Sequence, residues 1–571
     1  MAGHLIPPSE SSSTSASADA PVLFLPGGVT VQAPLPTGRP PKDLRVRRQG
    51  PARSALPVLL VLMAVAGVCF SETVNYAVGL NDFWYLNFLG QQVQWGDLAT
   101  WRNGFYPWGT ALLFAAFAPL TPLVSMTYLS LAMAMICVTV IHMSARQLAG
   151  VRTANAASVV LLLSPWFLVY AVTQTPDMST MALLTLGVAL FVVPKQHSTA
   201  HLLVGALALG LAGALRAHTA LITLPLMLAL AAYDEPRRVR WTALLALVAA
   251  FPLFQVVVNL AAGFPPFHTA QTFNLYKAIH GVEWLYVSDI RLTVTPLELI
   301  GDAPLTFFRN VGLAMFGQAV LATPVFLGTT RLVALDPERA PVWRALRAAS
   351  IAYVALSALG DSTRAGLLIL PGSVLALAAL VAPNENATWM VYEKPKEKPS
   401  RLTPFFLWGI AGALSIVAVG HVSWEWNRRG ATYSRNEAVQ EHLRAQGALP
   451  DRADAVWSND FDLWLPAVVP FRTRHNGGWA RVDLHGFDQV SPELCLENAP
   501  CLHESAYATD VSVIAWCYLG DRLPGRLQDD LAQDADVLAE MGLTSLGRSR
   551  DCVLFRVSEP NSPGAGTSIV P

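Results

Sequence analysis

The sequence predicts a polytopic α-helical membrane protein of about 11 spans, with one re-entrant or interface-lying helix and a C-terminal extracytoplasmic α/β domain. Three observations predict it. Of 571 residues, 53% are hydrophobic and only 14% charged, against about 25% charged in soluble proteins. Apolar runs of span length recur along most of the chain. The basic residues between those runs fall on one side of a single alternating topology. A net charge of -1 argues against nucleic acid as a bulk electrostatic partner. Collagen-like, coiled-coil and wholly disordered classes are excluded by the same composition.

Residues 1–54 are rich in Ser, Pro, Ala and Gly and end in a basic cluster, Arg39, Lys42, Arg45, Arg47, Arg48 and Arg53. They read as a disordered cytoplasmic tail. A signal peptide places its apolar run within roughly the first 15–30 residues. Here the first run is 55–71, so it reads as a retained first span.

Further runs lie at 124–142, 155–172, 179–194, 200–215, 218–232, 241–260, 306–329, 347–360, 365–382 and 404–421. Each is close to the ~17–25 residues that cross a bilayer, 347–360 being the shortest. The piece 107–120 is short and is interrupted by Pro107 and Pro119. If it does not cross, Arg146 and Arg152, Lys195, Arg237 to Arg240, Arg331 to Arg347 and Lys394 to Arg401 all fall in cytoplasmic loops. If it crosses, those loops move outside, against the positive-inside rule. It is therefore read as re-entrant or interfacial, held where protein buries it.

This places the N-terminus in the cytoplasm of a plasma or inner-membrane protein. Residues 55–421 form the membrane module, with outer loops 72–106 and 261–303, and 422–571 form an external domain of ordinary size. In that domain, short apolar runs at 455–457, 511–516 and 552–557 read as strands, and 435–447 and 526–541 as helices. Cys495, Cys501, Cys517 and Cys552 all lie there, while Cys69 and Cys137 sit in spans. Four cysteines in an oxidising compartment can form two disulfides by any of three pairings, or stay as buried thiols. No Cys-x-x-Cys pair occurs, and no metal site is read from them.

With the sides fixed, polar groups near the outer edge can be named. The first outer loop carries Asn81-Asp82-Phe83-Trp84-Tyr85 and Tyr106-Pro107-Trp108-Gly109; the second, very short, carries Asp177 after Pro176. An acid near a span end is costly unless hydrated or functional. The plain alternatives are a solvated or capping role for Asp82 and an N-cap for Asp177. Basic groups on this side are Arg216, Lys277 and Arg364, suited to phosphate. Their alternative is snorkelling or pairing with a neighbouring acid. His475, Trp479 and His485 could contact an acceptor, or mark a glycine turn. No nucleotide-binding loop or hydrolase motif occurs in a usable context, and the cytoplasmic loops are too short for a nucleotide domain. A lipid-linked donor satisfies that constraint.

Over residues 55–555 this arrangement resembles the GT-C superfamily of polyprenyl-phosphate-sugar glycosyltransferases, which includes the protein mannosyltransferases and lipid A aminoarabinose transferases. Residues 81–85 look like the family's acidic first-loop motif, with Asn at 81 where a second acid is common. Residues 106–109 look like its proline motif, with Trp108 at the second proline. Ser164-Pro165 with Pro176-Asp177 resembles the second-loop acid, and Arg364 to Pro371 (RAGLLILP) resembles the late arginine and proline.

The resemblance implies sugar transfer from a polyprenyl phosphate to a hydroxyl of an envelope glycan, lipid or protein on the outer face. Asp82 would be the general base, with inversion following from direct displacement, and Asp177 would orient the acceptor or support Asp82. Arg216, Lys277 and Arg364 would stabilise the leaving phosphate, and Tyr85, Tyr106, Pro107 and Trp108 would line the pocket. A divalent metal could take the cations' part. A lipid-linked saccharide transporter or flippase is the competing reading. It lacks the paired, interrupted half-repeats of many transporters.

Overall fold

The computed structural model describes residues 53–70, 107–117, 122–194, 198–233, 238–261, 266, 301, 304–335, 337–358, 368–381, 402–448, 455–458, 511–517 and 543–557. The basic cluster at 39–48, most of both outer loops and the helix expected at 526–541 lie outside these residues.

The described part is mostly helical. α1 is Leu56–Phe70, α2 Trp108–Phe117, α3 Pro122–Leu162, α4 Pro165–Tyr170, α5 Asp177–Val192 and α6 Thr199–Leu215. A single 3-10 turn, Ala217–Thr219, leads into α7, Ala220–Tyr233, followed by α8, Arg238–Ala261. Then come α9, Pro304–Leu335, α10, Ala340–Ala358, α11, Leu370–Val381, and α12, Leu402–Ala445. Among the described residues, three helical stretches are long and apolar enough to cross a membrane by length and composition: Met126–Leu162, Arg238–Ala261 and Phe406–Arg428. Shorter apolar helices accompany them. Val58, Val61 and Val65 on α1 and Ile416, Val417 and Val419 on α12 are all more than half exposed. Helices that stay apolar on outward faces need an apolar solvent.

α3 is a hairpin. Gly150 adopts φ 83°, ψ 170° inside it, and His142 Nδ1 lies 3.0 Å from Ser158 Oγ. On a straight helix sixteen residues would separate them by about 24 Å, so the chain turns back at Gly150. A side chain rarely adopts that φ, and glycine does so at little steric cost. The runs expected at 124–142 and 155–172 are the two arms. The second arm breaks before Pro165, which lacks the N–H a continuing helix needs, and α4 restarts there with Pro at its first turn. The beginning of α1 is tied to this hairpin: Ala55 N donates to Asn155 Oδ1 at 2.9 Å, and Ser54 Oγ hydrogen-bonds His142 Nε2 at 2.9 Å.

Arginines sew the helix ends on this side of the bundle. Arg339 donates to the Val192 carbonyl at the end of α5 at 2.7 Å, and Arg331 donates to the Leu380 carbonyl at the end of α11. Arg240 reaches Thr199 Oγ1 at 3.0 Å, and Arg347 reaches Thr330 Oγ1 at 3.0 Å. The last carbonyls of a helix have no intrahelical donor, and cations complement the negative end of its dipole.

α12 runs 44 residues without interruption, merging the last expected span with the helix expected at 435–447. It ends in a Schellman motif at Gly447 (φ 59°), with Ala448 N bonded to the Leu443 carbonyl at 2.9 Å. Its last turns pack on a four-stranded sheet of β1 Ala455–Ser458, β2 Val511–Cys517, β3 Leu543–Ser549 and β4 Cys552–Val557. The order is β1-β2-β4-β3, with β1 and β2 parallel and the other pairs antiparallel. Val439 and Leu443 of α12 share a small core with Val513, Ala515, Leu546 and Leu554, and His442 Nε2 is 2.6 Å from the Leu546 carbonyl. β3 is an addition to the expected strands. Its register shifts between Ser545 and Gly547, with Gly547 at φ 86°, and its buried positions recur every third residue.

Candidate functional site

At the end of the bundle opposite the arginines, residues 171–182 are buried without exception. A buried connection must find partners for its backbone, and the polar sequence Thr173-Gln174-Thr175 supplies them. Ser130 Oγ of α3 donates to the Thr173 carbonyl at 2.6 Å, Thr173 Oγ1 donates to the Val169 carbonyl at 2.7 Å, and Gln174 Nε2 donates to Thr127 Oγ1 at 2.7 Å. Asp177 follows as the first residue of α5. It does not cap that helix: Pro176 is the N-cap residue, with no side-chain cap.

Instead the Asp177 carboxylate takes Arg216. Arg216 Nη2 lies 2.8 Å from Asp177 Oδ1, with side-chain exposures of 17% and 7%. Arg216 ends α6 in an extended conformation, φ -145° and ψ 97°, before the 3-10 turn. The backbone thus leaves the helix at the residue whose guanidinium reaches α5. His218 sits on the turn, its ring 5.7 Å from that of Tyr353 on α10.

α2 closes the other flank. It has 10 residues, too few to cross, and Trp108 opens it. Trp108 N donates to Gln255 Oε1 at 2.7 Å, and its indole Nε1 donates to the Phe251 carbonyl at 3.0 Å. Gln255 Nε2 in turn donates to Asn259 Oδ1 at 2.8 Å. Thr110 Oγ1 donates to the Leu215 carbonyl at 2.9 Å, next to Arg216. Gly109 permits this approach, because a Cβ there would lie 2.7 Å from both the Ala214 carbonyl oxygen and its Cβ.

Below the polar cluster lies an apolar crevice of about 90 Å³ between α3, α5, α7, α9, α10 and α11. Ile222 and Ser350 line it, one helical turn from His218 and Tyr353 respectively. At its other end are Val193, Leu332 and Trp343, on the arginine side.

Of the expected site residues, the structure brings Asp177 and Arg216 into contact and sets Trp108 against α8, with Pro107 immediately before it. Asp82, Tyr85, Tyr106, Lys277, Arg364, Cys495 and Cys501, and with them His475, Trp479 and His485, lie outside the described residues. Cys517 and Cys552 belong to the C-terminal sheet. His218, Tyr353, Gln174, Gln255 and Asn259 were not anticipated. The run Thr173 to Thr175 next to Asp177, and His218 two residues after Arg216, were the available signals. Among the described residues no three His, Cys, Asp or Glu gather where they could hold a metal ion.

No family profile matches the chain, and no curated protein matches it. Among solved structures it is similar to ArnT from Cupriavidus metallidurans bound to undecaprenyl phosphate, at 14% identity over 89% of this chain and 100% of that one, with a TM-score of 0.46. It is also similar to the Archaeoglobus fulgidus oligosaccharyltransferase in complex with Zn and sulfate, at 15% identity over 80% of this chain and 68% of that one, with a TM-score of 0.44.

Proposed function

We propose that the chain is an integral-membrane glycosyltransferase of the GT-C kind, moving a sugar from a polyprenyl phosphate to an acceptor hydroxyl outside the membrane. The observation that carries this reading is the buried Asp177–Arg216 pair, with an apolar crevice whose lining begins about one helical turn from the neighbouring His218 and Tyr353. A polar head above an apolar slot suits an amphiphile with a polar head and a hydrocarbon tail. The first-loop sequence 81–85 and the proline motif at 106–109 supply the rest of the reading.

In this mechanism the acceptor oxygen attacks the anomeric carbon while the bond from that carbon to the phosphate oxygen breaks. Asp82 takes the hydroxyl proton as general base, and polyprenyl phosphate leaves with the bonding electrons, inverting the carbon. Lys277 and Arg364 meet the charge that grows on the departing phosphate. Arg216, held by Asp177, keeps the second-loop acid in place. Tyr85 and Tyr106 flank the pocket and Trp108 anchors its floor to α8. About 11 crossings, with residues 1–54 inside and 422–571 outside, set Asp82, Asp177, Lys277 and Arg364 on one face.

The test is turnover in lipid nanodiscs. Purified protein supplied with radiolabelled polyprenyl-phosphate sugars and cell-envelope acceptors is expected to release free polyprenyl phosphate. Asp82→Asn is expected to abolish release while donor binding survives; unchanged turnover would remove Asp82 from the mechanism. Transport of the intact lipid-linked sugar without its cleavage would favour the flippase reading.

A further inference from the structure

We infer that α4 and α12 carry a lipid-headgroup anchor, in which Trp166, His421, Trp424 and Arg428 engage the phosphate of an anionic phospholipid in the leaflet on the C-terminal sheet's side. Such an anchor requires only that α12 spans the membrane, whatever chemistry the candidate site performs.

Along one stripe of α12 the residue types change in a fixed order. Val417, His421, Trp424 and Arg428 follow at spacings of four, three and four, which keeps them on one helix face. Val417 is 58% exposed, beside Ile416 and Val419 at 78% and 68%. From Leu402 to Val422 the helix has no Asp, Glu, Lys or Arg; within the next two turns Arg428 and Arg429 against Glu425 make it cationic. Hydrocarbon, then amphipathic rings, then a cation is the order met on leaving a bilayer. Exposed Trp408 marks the other limit. The sixteen to eighteen residues from it to Trp424 and Trp426 rise about 24–27 Å, close to the ~30 Å hydrocarbon core.

Rings from three helices meet at this level. The Trp166 ring of α4 lies 5.6 Å from that of His421, and His421 stacks on Trp424 at 5.7 Å and 24°. The Arg428 guanidinium sits 5.8 Å over the Trp424 ring, within cation–π range. Phe70, the last residue of α1, meets Trp426 edge-on at 5.5 Å. Trp166, Trp424 and Trp426 are 46%, 57% and 41% exposed, so the band faces outward. A large ring with one polar edge is best served where hydrocarbon meets water. A guanidinium matches phosphate oxygens with two parallel donors, and its seat on the indole keeps it at the level of the rings. A soluble saccharide could stack on exposed indoles too, but it leaves unexplained the apolar stripe that runs into them without a break.

The experiment uses full-length protein in nanodiscs that contain phosphatidylglycerol or phosphatidylcholine bearing a photoactivatable diazirine, in the headgroup or at mid-chain. Adducts are mapped by peptide mass spectrometry. In wild type, headgroup probes are expected to label 421–428 and 164–170, and mid-chain probes 413–419; this pattern decides the depth without any variant. Arg428→Gln is expected to cut phosphatidylglycerol headgroup labelling of 421–428 about fivefold, the equivalent of the roughly 1 kcal/mol an arginine contributes near an anionic surface. Phosphatidylcholine labelling there, and phosphatidylglycerol labelling of 331–347, are expected to hold, and Arg428→Lys to retain most of the lost signal. Unchanged phosphatidylglycerol labelling in Arg428→Gln, or an equal loss for both lipids, would overturn the anchor. Mid-chain labelling of 421–428 in place of headgroup labelling would bury the band in hydrocarbon and overturn it as well. No lipid adduct at either segment would show a face covered by protein, and labelling there by a diazirine-bearing mannotriose in competition with lipid would show a saccharide platform; each overturns the assignment while leaving the sugar-transfer reading to its own turnover test.

Discussion

Arg216 and Asp177 carry opposite charges 2.8 Å apart, at exposures of 17% and 7%, where neither has ready access to water. Removing one partner of a buried pair strands the other charge and typically costs about 3–5 kcal/mol, whereas replacing both with apolar groups is often neutral. Arg216→Met and Asp177→Leu are each expected to lower stability by about that amount, and the double variant to recover most of it. Denaturant unfolding in nanodiscs measures it, and single variants within about 0.5 kcal/mol of wild type would show the pair to be a surface-like contact. Both residues could be named from sequence because charges are scarce in so apolar a chain. Their partnership could not be, since α5 and α6 are joined through the far end of the bundle and only packing brings residues 177 and 216 together. Gln174, His218 and Tyr353 escaped notice for another reason: what marks them is burial and lack of partners, which no residue type announces.

Close approach decides the element scale. α2 meets α6 through Gly109, where an added Cβ would lie 2.7 Å from backbone and side-chain atoms of Ala214. Helix backbone cannot yield as a flexible side chain can, so Gly109→Ala is expected to push α2 off α6 and cost about 1–3 kcal/mol. It would also loosen the Thr110–Leu215 bond that adjoins Arg216. A melting scan checks the stability, and a Gly109→Ala protein as stable as wild type would mean α2 is free to shift. In the C-terminal sheet, β2 and β4 pair in a register that sets Cys517 opposite Cys552. Directly opposed residues in an antiparallel ladder have Cα atoms about 4.5–5.5 Å apart, inside the range a disulfide spans. Of the three pairings open from sequence, Cys517 with Cys552 and Cys495 with Cys501 is therefore expected. Peptide mapping without reductant checks it, and a peptide joining Cys517 to Cys495 or Cys501 would refute it. Strands β1, β2 and β4 were legible as short apolar runs. β3 was not, because its bulge at Gly547 replaces the alternation of two by a spacing of three. The α3 hairpin was legible as two runs with Arg146 and Arg152 between them; that the turn is a single residue, Gly150, with helix on either side, was not.

For the whole molecule the decisive quantity is length. At about 1.5 Å per residue, the 44 residues of α12 extend about 66 Å, roughly twice the ~30 Å hydrocarbon core. If α12 crosses from the arginine end, as proposed, it leaves the membrane on the other side with several turns to spare, and those turns carry the sheet. Arginines at 240, 331, 339 and 347 hold helix ends together at one face, and Asp177, Arg216 and His218 lie at the other. In the proposed orientation the arginine face is cytoplasmic, as the positive-inside rule has it, and the C-terminal sheet and the candidate site would then share one compartment. Val239, 83% exposed, and Glu437, exposed on the last part of α12, report on the two sides. With exposed Cys69 changed to serine, Val239→Cys in intact cells is expected to resist a membrane-impermeant maleimide and to react after permeabilisation. Glu437→Cys is expected to react in intact cells. Reaction of Val239→Cys from outside would invert the bundle and move Asp177 and Arg216 to the cytoplasmic face. Reaction of both from one side would mean that α12 does not cross, and would separate the sheet from the site.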